Sequence, residues 1–518
     1  MSRSEEFSVG QRCKVGEHFA TIRYVGPVPP SEGEWVGVEW DDANRGKHSG
    51  DHEGTKYFTC RPGSGSFVRP KKIERGVTFL EALKERYISG GVGDDEEMFV
   101  MDKDSNTTKV YMVGAEKIAG KLSQVHKLQK ISLRDMMITS AGATPDQIKA
   151  TLPCLDDLNL SHNLLSAWEE VAVITSGLDT LSSLDISENK LAPPFTPSAQ
   201  TCAAFSHLKS LYASKMNLEW NEVQFIAATF EAVKELHLCQ NHIRSLSKVD
   251  GFQHLKLLNL EDNFITEWNV ISDSLSALPQ LEVLILNGNQ LSGVCIKDTN
   301  QLSSLRSLSL ERNLISEWQS VNALLILHSL RELKLRDNPL VEAFKEQLSI
   351  ARQLIIARLG GITSLNNSEI NPNERKASER YYIKRYAQKW MDSQATEDSK
   401  RSFSMEHPRY TQLTEVHGLP DVAVSQQSTG RLTVKDSLLS LTFLCPDDPS
   451  QKQVVKKLPG TITVMKLKAL LFRLYKVDST SQKLSYKDSK GQEYELNDDM
   501  KDLSFYSVSN GDTILLRW

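Results

Sequence analysis

The length and composition of the chain indicate a folded protein of several domains. Its 518 residues allow three or four domains of ordinary size, and 40% hydrophobic with 25% charged residues is typical of globular proteins. A net charge of −5, with an acidic middle, argues against nucleic acid as the main partner. No apolar run reaches the ~18 residues of a membrane helix, so we expect no membrane association.

The first residues and the cysteines indicate the cytoplasm. The stretch that begins at Met1 has no apolar segment of the kind that a secretory signal needs. The seven cysteines form no Cys-x-x-Cys pair, which favours reduced thiols over disulfides and excludes a cysteine-based metal site. We therefore expect a cytoplasmic protein without a bound metal.

Residues 1–76 are predicted to form a small all-β domain. Valines and aromatic residues alternate with polar residues in short runs that Gly, Pro and Asp interrupt, which is typical of a small twisted sheet. Between Trp35 and Phe67 lies a stretch of five residues, Gly46-Lys47-His48-Ser49-Gly50. This block resembles a CAP-Gly domain, a module that captures the acidic-aromatic C-termini of other proteins.

The glycine-flanked stretch is the predicted peptide-binding loop. Its two glycines let the chain bend, and we expect the backbone N–H groups of the loop to approach a ligand. Lys47 and His48 offer side-chain donors to a carboxylate. Trp35 and Phe67 supply an apolar wall for a ring. The predicted tail-peptide-binding residues are Trp35, Gly46, Lys47, His48, Ser49, Gly50 and Phe67.

Two positions depart from the motif of the CAP-Gly family, which usually reads Gly-Lys-Asn-Asp-Gly. His48 stands in place of the asparagine and can still donate a hydrogen bond. Ser49 replaces an aspartate, and a carboxylate that helps to shape the loop is lost. The departure bears on affinity more than on fold. The alternative interpretation is a small β-domain with a tight turn and no ligand.

An internal repeat fills residues 121–345. Its copies share leucines at fixed spacing followed by an asparagine, as in Leu155, Leu158, Leu160, Asn163 and Leu165, with later asparagines Asn189, Asn241, Asn263, Asn289, Asn313 and Asn338. Two copies carry Met136 and Met216 in the asparagine slot, where methionine packs but cannot cap backbone groups. The spacing is the leucine-rich-repeat signature and predicts an α/β solenoid with one short strand per copy. A helical or irregular connector (77–120) precedes the solenoid, and a C-terminal cap (346–390) follows it.

The concave face of the solenoid is a second candidate binding surface. Outward positions of the strands are mostly small or charged, but an apolar and aromatic patch interrupts them. The predicted partner-binding residues of this patch are Tyr212, His237, Leu257, Val283 and Ile285. The alternative is a register shifted by one residue, which would bury these side chains instead.

The last part of the chain reads as a flexible linker followed by another domain. Residues 391–430 are rich in Ser, Thr, Gln and charge and have little periodicity. Residues 431–518 order two strands, an amphipathic helix and further strands, which resembles an α+β ubiquitin-like β-grasp domain. The chain has no terminal Gly-Gly after this domain, so ubiquitin-type conjugation is not expected. We expect the domain to serve as a docking surface instead.

No catalytic motif accompanies these modules, so we expect neither enzymatic activity nor a cofactor. CAP-Gly, leucine-rich repeats and a ubiquitin-like domain, in that order, resemble the tubulin-folding cofactor E family. The resemblance implies a cytoskeleton-associated chaperone of α-tubulin that helps to assemble and dissociate the αβ heterodimer. It also implies partners: the cofactor carrying β-tubulin, a GTPase-activating cofactor and a second CAP-Gly cofactor. Either a partner cofactor or a proteasome-linked receptor is expected to dock on the C-terminal domain. GTP belongs to the tubulin in that scheme.

Two other classes of function stay open at the level of the sequence. One is a microtubule-associated adaptor that uses its CAP-Gly domain without chaperone activity. The other is a regulatory subunit, since similar solenoids cradle phosphatases. Purified αβ-tubulin discriminates among the three, because only a chaperone alters the integrity of the heterodimer.

Overall fold

The structure of the chain is a computed structural model. It describes residues 7–88, 98–101, 107–110, 125–192, 198–298, 301–345, 347–419, 438–448, 451–488, 491–503, 505, 506, 508 and 510–518. The chain divides into two compact units, one comprising residues 1–290 and 300–305 and the other residues 291–299 and 306–518. The division falls within the repeats.

The first domain is a four-stranded antiparallel sheet with a short hairpin beside it. Its strands are β1 (Arg12–Val15), β2 (His18–Val28), β3 (Ser31–Trp40), β4 (Asp51–His52), β5 (Thr55–Lys56) and β6 (Gly65–Val68), with 3-10 turns at Ala43–Arg45 and Pro70–Lys72. The sheet has the order β1-β2-β3-β6, and β4 pairs with β5. Alternate side chains such as Ile22, Val36 and Val38 are fully buried and form the core. The predicted all-β domain is confirmed.

The segment that joins this domain to the repeats has mixed structure. It contains β7 (Val77–Thr78), α1 (Phe79–Leu83), a π-helical turn (Lys84–Ile88), the hairpin of β8 (Met98–Met101) and β9 (Thr107–Val110), and a 3-10 turn (Val125–Lys127). Thr78 caps α1, because its hydroxyl accepts from the N–H of Glu81 and its own N–H donates to the Glu81 carboxylate. The rest of the predicted connector lies outside the described residues.

The repeats of the first unit form a parallel sheet backed by short helices. The strands are β10 (Lys130–Ser132), β11 (Ile138–Ser140), β12 (Asp157–Asn159), β13 (Ser183–Asp185), β14 (Ser210–Tyr212), β15 (Glu235–His237), β16 (Leu257–Asn259) and β17 (Val283–Ile285). The helices are α2 (Pro145–Thr151), α3 (Trp168–Ser176), α4 (Ala199–Phe205), α5 (Trp220–Thr229) and α6 (Trp268–Leu275). All of these strands except β11 pair in parallel in sequence order, and β11 pairs with β7. The middle residue of each strand in the series is buried, as for Leu258 at 1% and Leu284 at 0% exposure. The predicted solenoid is confirmed.

The asparagines of the repeats cap backbone groups of the repeat before their own. Asn163 accepts from the N–H groups of Met136 and Ile138 at 3.0 and 2.9 Å, and it donates to Leu133 and Leu160 carbonyls at 2.9 Å. Asn163 is only 1% exposed, so these bonds satisfy an otherwise costly buried amide. The turn that carries Met136 is therefore capped by the next copy.

The second unit continues with repeat strands and then changes to helices. Its strands are β18 (Ser307–Ser309), β19 (Glu332–Lys334), β20 (Ser364–Leu365) and β21 (Ser368–Glu369), of which the first three are parallel and β21 returns antiparallel to β20. The helices are α7 (Trp318–Ala323), α8 (Pro339–Glu342), α9 (Leu348–Arg358), α10 (Pro372–Ser393), α11 (Glu397–Glu406) and α12 (Tyr410–His417), with a 3-10 turn at Leu324–Ile326. Antiparallel β21 ends the parallel pairing, as a cap requires.

Residues 391–419 correct the predicted linker, because they are helical and packed. Phe403, Tyr410 and Leu413 are buried against α9 and α10. The polar residues that favoured a linker serve partly as caps: the Thr396 hydroxyl accepts from the N–H of Ser399 at 3.1 Å and starts α11. A few apolar residues, together with polar contacts such as Arg409 to Glu379, dock the two helices. Residues 420–430 of the predicted linker lie outside the described part of the chain.

The C-terminal domain is a mixed five-stranded sheet packed on one helix. Its elements are β22 (Leu438–Leu444), β23 (Val454–Pro459), α13 (Val464–Tyr475), β24 (Lys483–Lys487), β25 (Glu493–Glu495) and β26 (Thr513–Arg517). The order is β23-β22-β26-β24-β25, with β22 and β26 parallel at the centre. Leu467 and Leu471 of α13 meet Phe443 and Ile514 of the sheet in the core. This is the predicted β-grasp arrangement.

Candidate functional site

The backbone of the glycine-flanked loop is held by hydrogen bonds within the first domain. The N–H groups of Lys47 and His48 both donate to the Gly65 carbonyl, at 2.7 and 3.2 Å, and the Gly65 N–H donates to the His48 carbonyl at 2.8 Å. The Ser49 N–H donates to the Asp51 carboxylate at 3.3 Å. The expectation that these N–H groups would face a ligand is wrong, because strand β6 and the hairpin use them.

The two glycines of the loop are required by close backbone approach. A Cβ at Gly46 would stand 2.0 Å from the Gly63 carbonyl oxygen, and one at Gly50 would stand 2.0 Å from the Phe58 carbonyl oxygen. Gly50 also has φ +94°, a conformation that side chains with a Cβ rarely adopt. Any other residue at either position would displace the loop.

His48 keeps one donor for a ligand. Its Nδ1 lies 3.1 Å from the Gly50 nitrogen and accepts that N–H, so the neutral ring carries its proton on Nε2. Burial lowers the pKa of His48, which favours the neutral ring at physiological pH. The adjacent Lys47 side chain is exposed and has no ion pair among the described residues. An ammonium and an imidazole N–H are therefore the polar groups that this loop presents.

Ser49 takes part in shaping the loop despite its departure from the usual aspartate. Its hydroxyl accepts from the N–H of Gly63 at 3.2 Å and joins the loop to the turn before β6. The neighbouring Asp51 supplies a carboxylate that accepts from the Ser49 N–H. The loop therefore keeps both an oxygen acceptor and a carboxylate, distributed over two residues.

Phe67 lies at the centre of an aromatic cluster next to the loop. Its ring contacts those of Tyr24, His48, His52, Tyr57 and Phe58, with centroids 4.9 to 6.2 Å apart. Of the predicted residues, His48 and Phe67 are thus brought together at 4.9 Å. Tyr57 and Phe58 follow the loop closely in sequence. Tyr24 is brought next to Phe67 by strand pairing and could not be predicted from the sequence.

Trp35 has a cationic neighbour, Arg69. It lies on the same face of the sheet as Phe67, because Phe67 pairs with Gly37, two residues further along β3. Among the described residues it makes no ring contact with Phe67. The Arg69 guanidinium instead stacks on the Trp35 ring, 3.8 Å from its centroid. Arg69 therefore adds a second cation to this face, which the sequence analysis missed.

A partly exposed ion pair with Asp41 joins the first domain to the repeats within the first unit. Arg12 is 2% exposed and binds both oxygens of Asp41, one of them at 2.7 Å. Lys190, beside the capping residue Asn189, lies 3.5 Å from the same carboxylate. Burial alone would raise the pKa of Asp41, but the two cations lower it below its usual value. The first domain and the repeats are thus in contact within one compact unit.

The predicted concave-face residues lie on neighbouring strands of the first unit. Leu257 pairs with Val283, and Asn259 pairs with Ile285, while the intervening Leu258 and Leu284 are buried. The side chains of Leu257, Val283 and Ile285 are partly exposed. They lie on the opposite face of the strands from the core.

Tyr212 and His237 extend this patch along the sheet. Their rings are stacked, with centroids 4.3 Å apart and planes within 11°. Burial lowers the pKa of His237 to about 4, and burial together with Glu235 raises the pKa of Tyr212. Both rings are therefore neutral at physiological pH, and the patch is uncharged at its centre with carboxylates to one side.

Among the described residues, neither a metal cluster nor a membrane-spanning helix is present. They contain no group of three or more His, Cys, Asp or Glu side chains placed to hold a metal ion. Within the same residues, every helix is too short or too polar to cross a membrane.

Family models match two of the three regions. A CAP-Gly domain model matches residues 9–73, and a ubiquitin-like domain model matches residues 443–516. Both matches fall where the structure has the corresponding small sheet and β-grasp domain.

Three relatives cover almost the whole chain. The tubulin-specific chaperone E of Xenopus laevis is 41% identical over 514 residues, covering 96% of both chains. That of Homo sapiens is 39% identical over 528 residues, covering 98% of both. The tubulin-folding cofactor E of Arabidopsis thaliana is 32% identical over 538 residues, covering 99% of this chain and 98% of its own. With these identities over its full length, the chain belongs to the tubulin-specific chaperone E family.

Proposed function

We propose that this chain is a chaperone that binds α-tubulin at two places and takes part in assembling and dissociating the αβ heterodimer. The first domain holds the C-terminal tail of α-tubulin, which is acidic and ends in tyrosine. The concave patch of the repeats holds the folded body of the same subunit. The observation that carries the proposal is the loop of the first domain, where satisfied backbone groups leave two side-chain donors beside an aromatic cluster.

The chemistry of the loop fits an acidic tail that ends in a ring. The Lys47 ammonium and the Nε2–H of His48 are donors of the kind that a carboxylate accepts, and a charge-assisted bond contributes about 1.5–3 kcal/mol. The cluster around Phe67 offers ring edges and faces to an aromatic side chain. Tail capture alone should be weak, because both contacts are partly exposed to water.

The concave patch supports a second contact. Leu257, Val283 and Ile285 are partly exposed apolar residues on a surface that is otherwise small or charged. Since Asp41 attaches the first domain to Lys190 of the repeats, both sites belong to one unit. Two weak sites on one body raise avidity by roughly 10²–10⁴ without new contacts. Binding energy directed to a form of α-tubulin that does not fit its β-partner would open the heterodimer.

Other proteins would complete this cycle. We propose as partners the cofactor that carries β-tubulin, a GTPase-activating cofactor and a second CAP-Gly cofactor, with GTP remaining on tubulin. The C-terminal domain would dock one of them or a proteasome-linked receptor. The proposed place of action is the cytoplasm, next to the cytoskeleton.

Purified αβ-tubulin tests the proposal. The chain is mixed with heterodimer, and the fraction of separated subunits is measured by size-exclusion chromatography. We expect α-tubulin to elute with the chain and free β-tubulin to appear. Binding to polymer with intact heterodimers would contradict the proposal and support an adaptor. Lack of any tubulin binding would contradict both functions.

A further inference from the structure

One side of the ubiquitin-like domain is occupied by helix α10 of the same unit. The Arg380 guanidinium donates to Asp488 at 2.8 Å and lies 4.2 Å from the centroid of the Tyr494 ring. A buried hydrogen bond accompanies this contact, since the Gln353 amide donates to the Phe505 carbonyl at 2.8 Å. The β24–β25 end of the domain is therefore not free for another protein.

The sheet beyond this contact presents polar groups. The Ser485 hydroxyl donates to Glu493 at 2.6 Å, and Arg517 donates to Ser485 at 2.9 Å and to the second Glu493 oxygen at 3.1 Å. These three side chains join β24, β25 and β26 in one closed network. Because these side chains already hydrogen-bond to one another, a new partner would gain little binding free energy from them.

Helix α13 and the turn beside it carry one group of exposed apolar side chains of this domain. Met465 and Phe472 are 51% and 46% exposed and are seven residues apart, which places them on one face of the helix. Met500, 72% exposed, lies at the Met465 end of this face, because the Met465 N–H donates to the carbonyl of the preceding Asp499 at 2.9 Å. We name Met465, Phe472 and Met500 the α13 ridge.

Cations run parallel to the ridge. Lys466 and Arg473 each follow a ridge residue by one position, are themselves seven residues apart and are exposed. Helix α13 reads VMKLKALLFRLY and contains no acidic residue. The remaining cation, Lys468, is paired with Asp499 at 2.8 Å. The helix side of the ridge is therefore flanked by positive charge, whereas Asp498 and Asp499 precede Met500 at its other end, on a chain whose net charge is −5.

We propose that the α13 ridge docks an acidic segment of a partner protein, which places apolar side chains on Met465, Phe472 and Met500 and carboxylates on Lys466 and Arg473. The inference rests on the proposed docking role of the C-terminal domain and assigns it a face and a ligand chemistry. Methionine suits such a surface, because its flexible side chain adapts to different apolar partners.

A protein partner is favoured over an anionic membrane. Two apolar side chains on a helix whose other face is packed in the domain core, with Met500 at one end, give little surface for insertion between lipids. Peptide recognition by a groove or ridge needs only a few anchors in a helical spacing. Carboxylates on the partner would fix its orientation by contacting Lys466 and Arg473.

Defined peptides test the ligand chemistry on the full chain. The probe is a synthetic helix with leucine on one face and glutamate elsewhere, and its counterpart carries lysine in place of glutamate. We expect the glutamate peptide to bind and to shift the methyl NMR signals of Met465 and Met500, and the lysine peptide to bind at least tenfold more weakly. Raising the salt concentration should weaken the glutamate complex.

Variants then locate the site. Met465→Ser with Phe472→Ser should lower affinity for the glutamate peptide at least tenfold. The matched control, Leu444→Ser with Val455→Ser, removes exposed apolar residues elsewhere on the domain and should leave affinity unchanged. Lys466→Glu with Arg473→Glu should reverse the preference, so that the lysine peptide binds better.

The outcomes separate this inference from the proposed function. Equal peptide affinity in all variants, or unshifted methionine methyls, would overturn the α13 ridge while tubulin dissociation by the wild-type chain still stands. Co-sedimentation with anionic vesicles that the ridge variants lose would assign the ridge to membranes and overturn a protein partner. Ridge binding without any tubulin dissociation would instead contradict the proposed function alone.

Discussion

The loop of the first domain and the concave face of the repeats build their binding surfaces in opposite ways. The loop folds tightly on itself, uses its backbone N–H groups internally and leaves two side-chain donors beside Phe67. The concave face repeats a simple strand and varies only the outward residues, among them Val283 and Ile285. The loop thus presents a few oriented side-chain donors, one of them charged, whereas the concave face presents a wide contact surface. The loop is sensitive to any change of backbone, and the sheet tolerates changes of side chain.

The largest expected effect comes from a substitution that disrupts the loop of the first domain. Gly50→Ala places a Cβ 2.0 Å from the Phe58 carbonyl oxygen at φ +94°, so we expect the first domain to lose about 2–4 kcal/mol of stability and its tail binding. Thermal unfolding and tail-peptide titration measure the two effects.

Gly54→Ala is the matched control for this change. Gly54 has φ +80°, but a Cβ added there would have no other atom within 4 Å, so only the left-handed backbone penalty of about 1–2 kcal/mol applies. Equal destabilisation by the two substitutions would show that close packing is not what constrains the loop.

The next effect tests whether the concave face of the repeats tolerates changes of its outward side chains. Val283→Asp with Ile285→Asp places charges on partly exposed positions, so we expect the melting temperature to hold while tubulin binding falls by about 2–3 kcal/mol. Pull-down of tubulin and thermal melting are measured on one preparation. Leu284→Asp, at a fully buried position, should instead unfold the repeats. A collapsed melt for the double variant would mean that these side chains belong to the core.

A smaller effect isolates the charge of the loop. Lys47→Ala removes an exposed ammonium, so we expect tail-peptide affinity to fall by about 1.5 kcal/mol, or roughly tenfold, with the fold unchanged. Heterodimer dissociation should fall less, because the concave contact persists. Removing the terminal tyrosine of tubulin should mimic the variant. If neither change alters binding or dissociation, the first domain is not a tail clamp.

The smallest effect concerns pH on the concave face. Burial holds the pKa of His237 at about 4, whereas in the unfolded chain it titrates near its ordinary value of about 6.5. The unfolded chain therefore binds the extra proton first as pH falls below about 6.5, and the free energy of unfolding decreases by about 1 kcal/mol at pH 5.5. Denaturant titrations at pH 7.5 and 5.5 measure it. His237→Phe keeps a ring against Tyr212 and should reduce the pH dependence; an unchanged dependence would exclude His237 as its source.

Much of this arrangement could be predicted from periodic features of the sequence. Leucine spacing predicts which strand positions face the core, so the outward placement of Leu257 and Val283 follows from Leu258 and Leu284. The positions of Gly46 and Gly50 likewise predict a tight loop, because only glycine allows such close backbone approach. In both cases a local pattern determines the local structure.

Contacts between distant segments could not be predicted in this way. The loop N–H groups bond to Gly65, and Tyr24 reaches Phe67, only through strand pairing that no local pattern specifies. Arg69 and Trp35 meet for the same reason. Helices α11 and α12 were not predicted, because they contain few apolar residues. Those residues are buried only by contact with α9 and α10, which lie earlier in the chain.

The asparagines of the repeats give the first unit a direction. Asn241 accepts from the N–H groups of Met216 and Leu218, and Asn163 does the same for Met136 and Ile138, so each copy is completed by its successor along the chain. A copy that loses its asparagine keeps the cap that its successor supplies and leaves the copy before it without one. Loss of the asparagine from one copy therefore removes a backbone cap from the copy on its N-terminal side. Met136 and Met216 are tolerated because the turns that carry them are capped by Asn163 and Asn241 of the following copies.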